Sequence, residues 1–124
     1  MTDSALAIQV EEIDLRHAVV VVTGVVDFES RAPLDAALSK LVAGGRSALV
    51  LDLTAVPRMD SSGLGLLVRF HHLSIASDGW LRLVGVNALI QRNLEITSLN
   101  SILSSYGTVG AALADGHAPT QQDS

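Results

Sequence analysis

The most constraining feature of this chain is an apolar run that passes, within a few residues, into a helical pattern. Residues 48–53 read Ala-Leu-Val-Leu-Asp-Leu, which is typical of a buried strand. Apolar side chains then recur at helical spacing, at Leu64, Leu67, Val68, Phe70 and Leu73. Between the two patterns stand residues 58–65, Arg-Met-Asp-Ser-Ser-Gly-Leu-Gly. This order predicts a strand that turns into a helix, with Asp60, Ser61 and Ser62 at the helix N-terminus.

Residues at a helix N-terminus can act in two ways. Asp60 or a serine can simply cap the helix, and capping alone explains these residue types. The unpaired N–H groups and the positive dipole end also favour an anion, so a hydroxyl there could carry a phosphate without unfolding anything. Glycine costs about 1 kcal/mol relative to alanine inside a helix. Gly63 and Gly65 therefore suggest that a phosphate, a partner or a packed neighbouring loop comes close to this backbone.

The rest of the chain alternates strands and helices. Strands are predicted at residues 6–11, 17–23, 48–53 and 80–86, with a short last strand at 101–104 left open. Helices are predicted at about residues 30–42, 60–77, 88–96 and 108–114. The tight turn after the first strand predicts an antiparallel hairpin, and helical crossovers make the other neighbours parallel. We therefore expect an α/β fold with a mixed sheet of four to five strands, its first hairpin antiparallel and the remainder mostly parallel, covered by about four helices.

Length and composition narrow the class of protein. The 124 residues fit one domain, which we place at residues 5–115, and the polar tail at 116–124 is expected to be disordered. The net charge is −5 and the eight basic residues are scattered, which argues against nucleic-acid binding. The chain has no cysteine, which excludes disulfides and zinc–thiolate sites. It also lacks a membrane-spanning apolar run and the positive flank of a signal peptide, so we expect a cytoplasmic protein that binds no membrane.

Motifs of enzymes and cofactor sites are incomplete. Gly63-Leu64-Gly65 is half of a dinucleotide fingerprint, but Val68 stands where the third glycine would be, and no phosphate-binding loop is present. The serine-hydrolase pattern is absent. His71 and His72 lie more than two turns beyond Ser61 on the same helix, too far to act as its base, and we interpret them as helix-surface residues. We expect no catalytic residue, metal or cofactor; a small hydrolase is the weakest alternative.

Asp27 links the motif to a second strand end. It follows Gly24 at the end of the strand 17–23, and its simplest role is that of a turn residue. The carboxyl ends of parallel strands meet at one edge of a sheet, where ligands and partners of open α/β folds usually bind. We therefore expect Asp27, Asp60 and the two serines to share one surface.

Five segments of the chain resemble the pattern of the STAS domain, and within that family the chain resembles an anti-sigma factor antagonist. The segments are residues 24–27, 50–54, 59–65, 81–86 and 94–96. The resemblance covers nearly all of residues 5–115. Its most specific element is the Asp-Ser-Ser-Gly-Leu-Gly sequence between a strand and a helix.

The resemblance implies a mechanism of partner switching. The unphosphorylated antagonist binds an anti-sigma factor, usually also a serine kinase, and so frees a sigma factor for transcription. The kinase phosphorylates the first serine of the motif, which matches Ser61, and a metal-dependent serine phosphatase reverses this. Ser62 matches a supporting serine and Asp27 an acidic docking position. Together with Asp60, Gly63 and Gly65, they are expected to form the partner-binding surface.

Two positions depart from the family pattern. Val25 stands where the family commonly has an acidic residue, and Ser98 where it commonly has glycine. The first change makes the docking loop less polar; the second concerns a local turn. An alternative is a structural STAS subunit of a lipid-transport complex or signalling scaffold, which docks a partner without being phosphorylated. The partner kinase, the sigma factor and the oligomeric state are left open by the sequence.

Overall fold

The computed structural model describes residues 6–116 as a five-stranded mixed sheet with strand order β1-β2-β3-β4-β5. The strands are β1 (Ala7–Glu12), β2 (His17–Thr23), β3 (Ala48–Ala55), β4 (Trp80–Val84) and β5 (Ser104–Tyr106). The helices are α1 (Ala32–Ala43), α2 (Ser61–Ala76), α3 (Ala88–Ile96) and α4 (Val109–Ala114). β1 and β2 are antiparallel, and every other neighbouring pair is parallel. The predicted mixed sheet and its helical crossovers are confirmed.

The sheet is covered on both faces by aliphatic layers. On one face, side chains of α1, α2 and α3 pack with alternate strand residues that include Val20, Leu51 and Leu83. On the other face, α4 packs through Ala112 against Val19 and Val50 and a smaller group of neighbours. The inner strands need apolar residues at every position because both of their faces are buried. This explains the unbroken apolar runs in the sequence.

The chain around the last strand differs from the prediction. The strand is Ser104–Tyr106 rather than residues 101–104, and Leu99–Ser101 form a short 3₁₀ helix. Ser98, which precedes this helix, has a φ of 62°. A left-handed backbone favours glycine, so the glycine common in the family at this position has a conformational cause. β4 also ends at Val84, two residues earlier than predicted. Apart from Gly116, the tail predicted to be disordered lies outside the described residues.

The interpretation of His71 as a helix-surface residue is wrong. Its side chain is buried, with a relative exposure of 5%, whereas His72 is exposed. α2 contacts both β4 and α1, so the buried arc of the helix is wider than its apolar stripe. That arc includes His71 and Ser74, and within residues 6–116 neither His71 Nδ1 nor Ser74 Oγ has a hydrogen-bond partner.

Residues 6–116 contain no helix that is long and apolar enough to cross a membrane. Within the same range, no group of three or more histidine, aspartate or glutamate side chains is arranged to hold a metal ion.

Candidate partner-binding site at the carboxyl edge of the sheet

Asp60 caps the N-terminus of α2. Its backbone is extended, and its Oδ1 accepts hydrogen bonds from the N–H groups of Ser62 (3.0 Å) and Gly63 (3.1 Å). The same oxygen accepts a third hydrogen bond, of 2.6 Å, from the hydroxyl of Ser62. The capping role expected for this motif therefore belongs to the aspartate, and one of the two serine hydroxyls is committed to it.

The second carboxylate oxygen of Asp60 reaches the loop after β2. Oδ2 accepts a hydrogen bond from the backbone N–H of Phe28 at 3.2 Å. The hydrogen bond from the Ser62 hydroxyl is the largest influence that lowers the pKa of Asp60 below its ordinary value, and the N–H groups of Gly63, Phe28 and Ser62 act in the same direction. Asp60 is therefore a carboxylate at neutral pH.

Backbone pairing continues beyond the strands and joins the two loops. Val26 and Met59 form a parallel bridge. The N–H of Val26 donates to the carbonyl of Arg58 (3.2 Å), and the N–H of Asp60 donates to the carbonyl of Val26 (3.1 Å). The structure thus brings the loop of Asp27 beside the motif, as the parallel order of β2 and β3 predicts. Val25, Asp27, Arg58, Met59 and Asp60 line a depression of about 220 Å³ between the loops.

Asp27 is half-buried and holds its own loop in shape. Its Oδ1 accepts hydrogen bonds from the N–H groups of Glu29 (3.1 Å) and Ser30 (2.9 Å). The buried hydroxyl of Ser30 accepts from the N–H of Asp27 at 3.0 Å and donates to the carbonyl of Val25 at 2.6 Å. Asp27 therefore has the role of a turn residue, and it also lines the depression.

Ser61 and Gly65 form the open side of the motif. Ser61 is the first residue of α2 and is exposed, and its hydroxyl has no hydrogen-bond partner among residues 6–116. Ser62 is less exposed, and its hydroxyl binds Asp60. Gly65 lies four residues after Ser61, so the two share a helix face. A Cβ added at Gly65 would meet nothing within 4 Å.

Gly63, in contrast, is buried and faces the protein. A Cβ at this position would come within 2.4 Å of Cγ of Met59 and 2.9 Å of Cγ1 of Val26. A phosphate, a partner or a packed neighbouring loop could each explain a glycine in this motif. For Gly63 the explanation is the packed neighbouring loop. Gly63 thus lets the bridge between Val26 and Met59 lie directly against the first turn of α2.

A third loop is fixed to the same segment by Asn87, a residue not predicted from the sequence to belong to the site. Its Oδ1 accepts from the N–H of Ile90 (2.9 Å) and so caps α3. Its Nδ2 donates to the carbonyls of Val56 (3.3 Å) and Pro57 (2.9 Å). An asparagine just before a helical pattern is a recognisable capping signal. Its second contact has no sequence signal, because it joins residues about 30 positions apart.

Phe28 was also missed. Its side chain has a relative exposure of 68%, and the guanidinium of Arg31 lies 4.7 Å from the centre of its ring. The sequence did contain a signal for this exposure: Phe28 is a large apolar residue in a loop, outside the apolar stripe of the helix that follows. Around Phe28 the edge carries both signs of charge: Asp27, Glu29 and Asp60 are acidic, and Arg31 and Arg58 are basic.

The sequence profile of the STAS domain matches residues 7–112, nearly the whole described chain. The chain belongs to the STAS domain family. Two curated proteins provisionally named as anti-sigma factor antagonists also match over 71 residues. One is from Thermotoga neapolitana, with 32% identity, and the other from Thermotoga maritima, with 31% identity. Each match covers 57% of this chain and 63% of the relative, so it spans less than two thirds of those proteins.

Solved structures of STAS proteins share the fold. An anti-sigma factor antagonist from Mycobacterium paratuberculosis superposes with a TM-score of 0.78 at 30% identity, covering 90% of this chain and 94% of that one. Unphosphorylated SpoIIAA gives a TM-score of 0.75 at 20% identity, covering 86% of this chain and 93% of that one. Phosphorylated SpoIIAA gives a TM-score of 0.69 at 20% identity, covering 86% of this chain and 96% of that one. At 20% identity, the two SpoIIAA comparisons show the fold alone.

Proposed function

We propose that this STAS protein is an anti-sigma factor antagonist. In this proposal it acts in the cytoplasm, binds an anti-sigma factor that is also a serine kinase, and is inactivated by phosphorylation of Ser61. The names of the Thermotoga and Mycobacterium relatives support the general role. The observation that carries the finer proposal is the exposed Ser61 hydroxyl, unpartnered within the described chain, at the N-terminus of α2.

The two serines differ in their availability to a kinase. The hydroxyl of Ser62 donates a 2.6 Å hydrogen bond to a carboxylate that also caps the helix. Phosphorylation of Ser62 would break this bond and place a dianion against Asp60. Phosphorylation of Ser61 requires no such break, because its hydroxyl contacts no described polar group. This difference supports Ser61 as the acceptor and Ser62 as a residue that holds Asp60 in place.

A phosphate at Ser61 changes the surface without changing the fold. It adds about −1.5 to −2 charges at neutral pH, next to the carboxylate of Asp60. It also adds bulk at the exposed first residue of α2. Repulsion and lost fit at an interface need to supply only about 3 kcal/mol to reduce affinity roughly 150-fold. This is sufficient for a switch between two partners.

The proposed contact surface consists of Asp27, Asp60, Ser62 and Gly65 around Ser61. Gly63 contributes indirectly, because its missing side chain allows the loops on either side of the depression to pack together. A serine phosphatase would need the same open access to Ser61. No step in the proposal requires catalysis by this chain.

The direct test uses purified anti-sigma factors of the serine-kinase type from the source organism. Each is incubated with the chain and Mg-ATP, and the phosphorylated residue is mapped by mass spectrometry. We expect phosphate on Ser61, none on Ser61→Ala, and phosphate on Ser62→Ala. Phosphate on Ser62 would contradict the assigned acceptor. Binding to an anti-sigma factor without any phosphorylation would contradict the phosphorylation switch, and binding to none of them would favour the structural STAS subunit.

Calorimetry tests the switch separately. We expect Ser61→Ala to bind the kinase about as tightly as the unmodified chain, and Ser61→Glu to bind roughly 100-fold more weakly. Equal affinities of the two variants would show that charge at this position does not control binding.

A further inference from the structure

Phe28 is the one aromatic side chain of the described residues that lies largely in solvent. The whole sequence contains two phenylalanines, one tryptophan and one tyrosine. Phe70 is fully buried, and Trp80 and Tyr106 are half-buried beside the guanidinium of Arg82. Phe28 has a relative exposure of 68%. The packing of the domain therefore does not account for this ring.

The backbone that carries Phe28 is fixed. Its N–H is bound by Asp60, the residue before Ser61. The preceding residue, Asp27, accepts two backbone N–H groups of the same turn, and Val26 is paired with Met59. A side chain held out from a fixed turn loses little conformational entropy when a partner covers it. Large aromatic side chains of this kind are enriched among the residues that dominate binding energy.

Arg31 gives the ring a positive side. Its guanidinium lies 4.7 Å from the ring centre, and its Nε donates to the carbonyl of Phe28 at 3.4 Å. A pocket that complements this pair would be apolar at its base and would carry a carboxylate on the side that faces Arg31. Other large apolar residues are exposed without this environment. Leu15, for example, is 83% exposed in the turn between β1 and β2, beyond the opposite end of β2.

We propose that Phe28 is the main apolar anchor of the interface with the anti-sigma factor, and that it inserts into an apolar pocket with a carboxylate at its rim. This inference rests on the proposed function and assigns the main apolar contact with the partner to one side chain. Phe28 is continuous with the Ser61 surface through Asp60. A phosphate at Ser61 adds negative charge next to the residue that binds the N–H of Phe28, and so opposes a carboxylate of the partner.

The test compares variants by calorimetry against the same purified anti-sigma factors. Phe28→Ala is expected to weaken binding about 10- to 30-fold, and Phe28→Leu is expected to bind with intermediate affinity. The matched control, Leu15→Ala, removes an even more exposed apolar side chain and is expected to stay within twofold of the unmodified chain. Urea unfolding verifies that each variant is folded, which is expected because both side chains are exposed.

The outcomes separate the two proposals. If Phe28→Ala binds within twofold of the unmodified chain while Ser61→Glu loses binding, the anchor is wrong and the proposed function stands. If Phe28→Ala and Leu15→Ala weaken binding equally, the anchor is also wrong, because the effect is not specific to this loop. A chain that binds none of the purified anti-sigma factors overturns both proposals.

Discussion

The carboxylate of Asp60 accepts a 2.6 Å hydrogen bond from the hydroxyl of Ser62, whereas the adjacent Ser61 hydroxyl has no hydrogen-bond partner in the described chain. Neighbouring serines of one motif thus have different physical roles. Ser62 lowers the pKa of Asp60 and completes the helix cap. Ser61 is left free for chemistry or contact.

The pKa of Asp60 reports this difference. In Ser62→Ala the main hydrogen bond to the carboxylate is lost, so the pKa of Asp60 is expected to rise toward its ordinary value of 3.8. Ser61→Ala should leave it unchanged. An NMR titration of the carboxyl carbon measures both. A similar rise in the two variants would contradict the assignment of the cap to Ser62 and Asp60.

The two glycines of the motif are expected to respond oppositely to substitution by alanine. Gly63→Ala forces a Cβ against Met59 and Val26 and should reduce the free energy of unfolding by about 1–3 kcal/mol. Gly65→Ala enters open space and should increase that free energy by about 0.5–1 kcal/mol, because alanine is the better helix former. Urea unfolding measures each variant. Equal effects would mean that the Val26–Met59 bridge does not pack on α2 as described.

His71 is expected to make stability depend on pH. Burial, with a smaller effect of His72, lowers its pKa in the folded state below the ordinary value of 6.5. The unfolded chain therefore binds the proton more readily, and stability falls as pH drops below about 6.5 toward the folded pKa. His71→Leu should flatten the dependence of unfolding free energy on pH in this range, and His72→Gln should reduce it only slightly, because burial is the larger cause. An unchanged slope in His71→Leu would assign the effect to another group.

Arg82 is expected to hold α4 on the sheet. Its Nη1 donates to the carbonyls of Ala112 (2.8 Å) and Asp115 (2.7 Å), and its guanidinium lies 3.8 Å from the centre of the Trp80 ring. Arg82→Met removes the donor of both hydrogen bonds and should cost about 2–3 kcal/mol of unfolding free energy.

Hydrogen exchange gives a second readout for Arg82→Met. The amides of α4 should lose protection before those of β3, because the helix depends on the contacts of Arg82. Arg92 is exposed, so Arg92→Ala is the control for loss of a positive charge. Its free energy of unfolding should stay within about 0.5 kcal/mol of that of the unmodified chain. Full protection of α4 in Arg82→Met would show that Ala112 and its apolar neighbours suffice to hold the helix.

Local patterns in the sequence predicted most of the secondary structure and the capped turn at Asp60. They failed where packing between distant segments decides exposure. His71 follows a helical pattern that does not reveal which neighbours flank the helix, and its burial results from the contacts of α2 with both β4 and α1. The last strand was predicted at the wrong residues because a strand of three residues shows little periodicity. Its position depends on pairing with β4.

The sequence by itself determined the mixed α/β fold, the antiparallel first hairpin and the edge that Asp27 shares with Asp60. Hydrophobic periodicity and chain connectivity are local properties that fix these features. Only the tertiary structure decided which serine hydroxyl is free, why residue 63 is glycine, and that Phe28 remains in solvent. The first follows from the hydrogen bond between Ser62 and Asp60, and the other two follow from contacts between the loop after β2 and the motif, more than 30 residues apart. Such contacts form only when the parallel strands bring both loops to one edge.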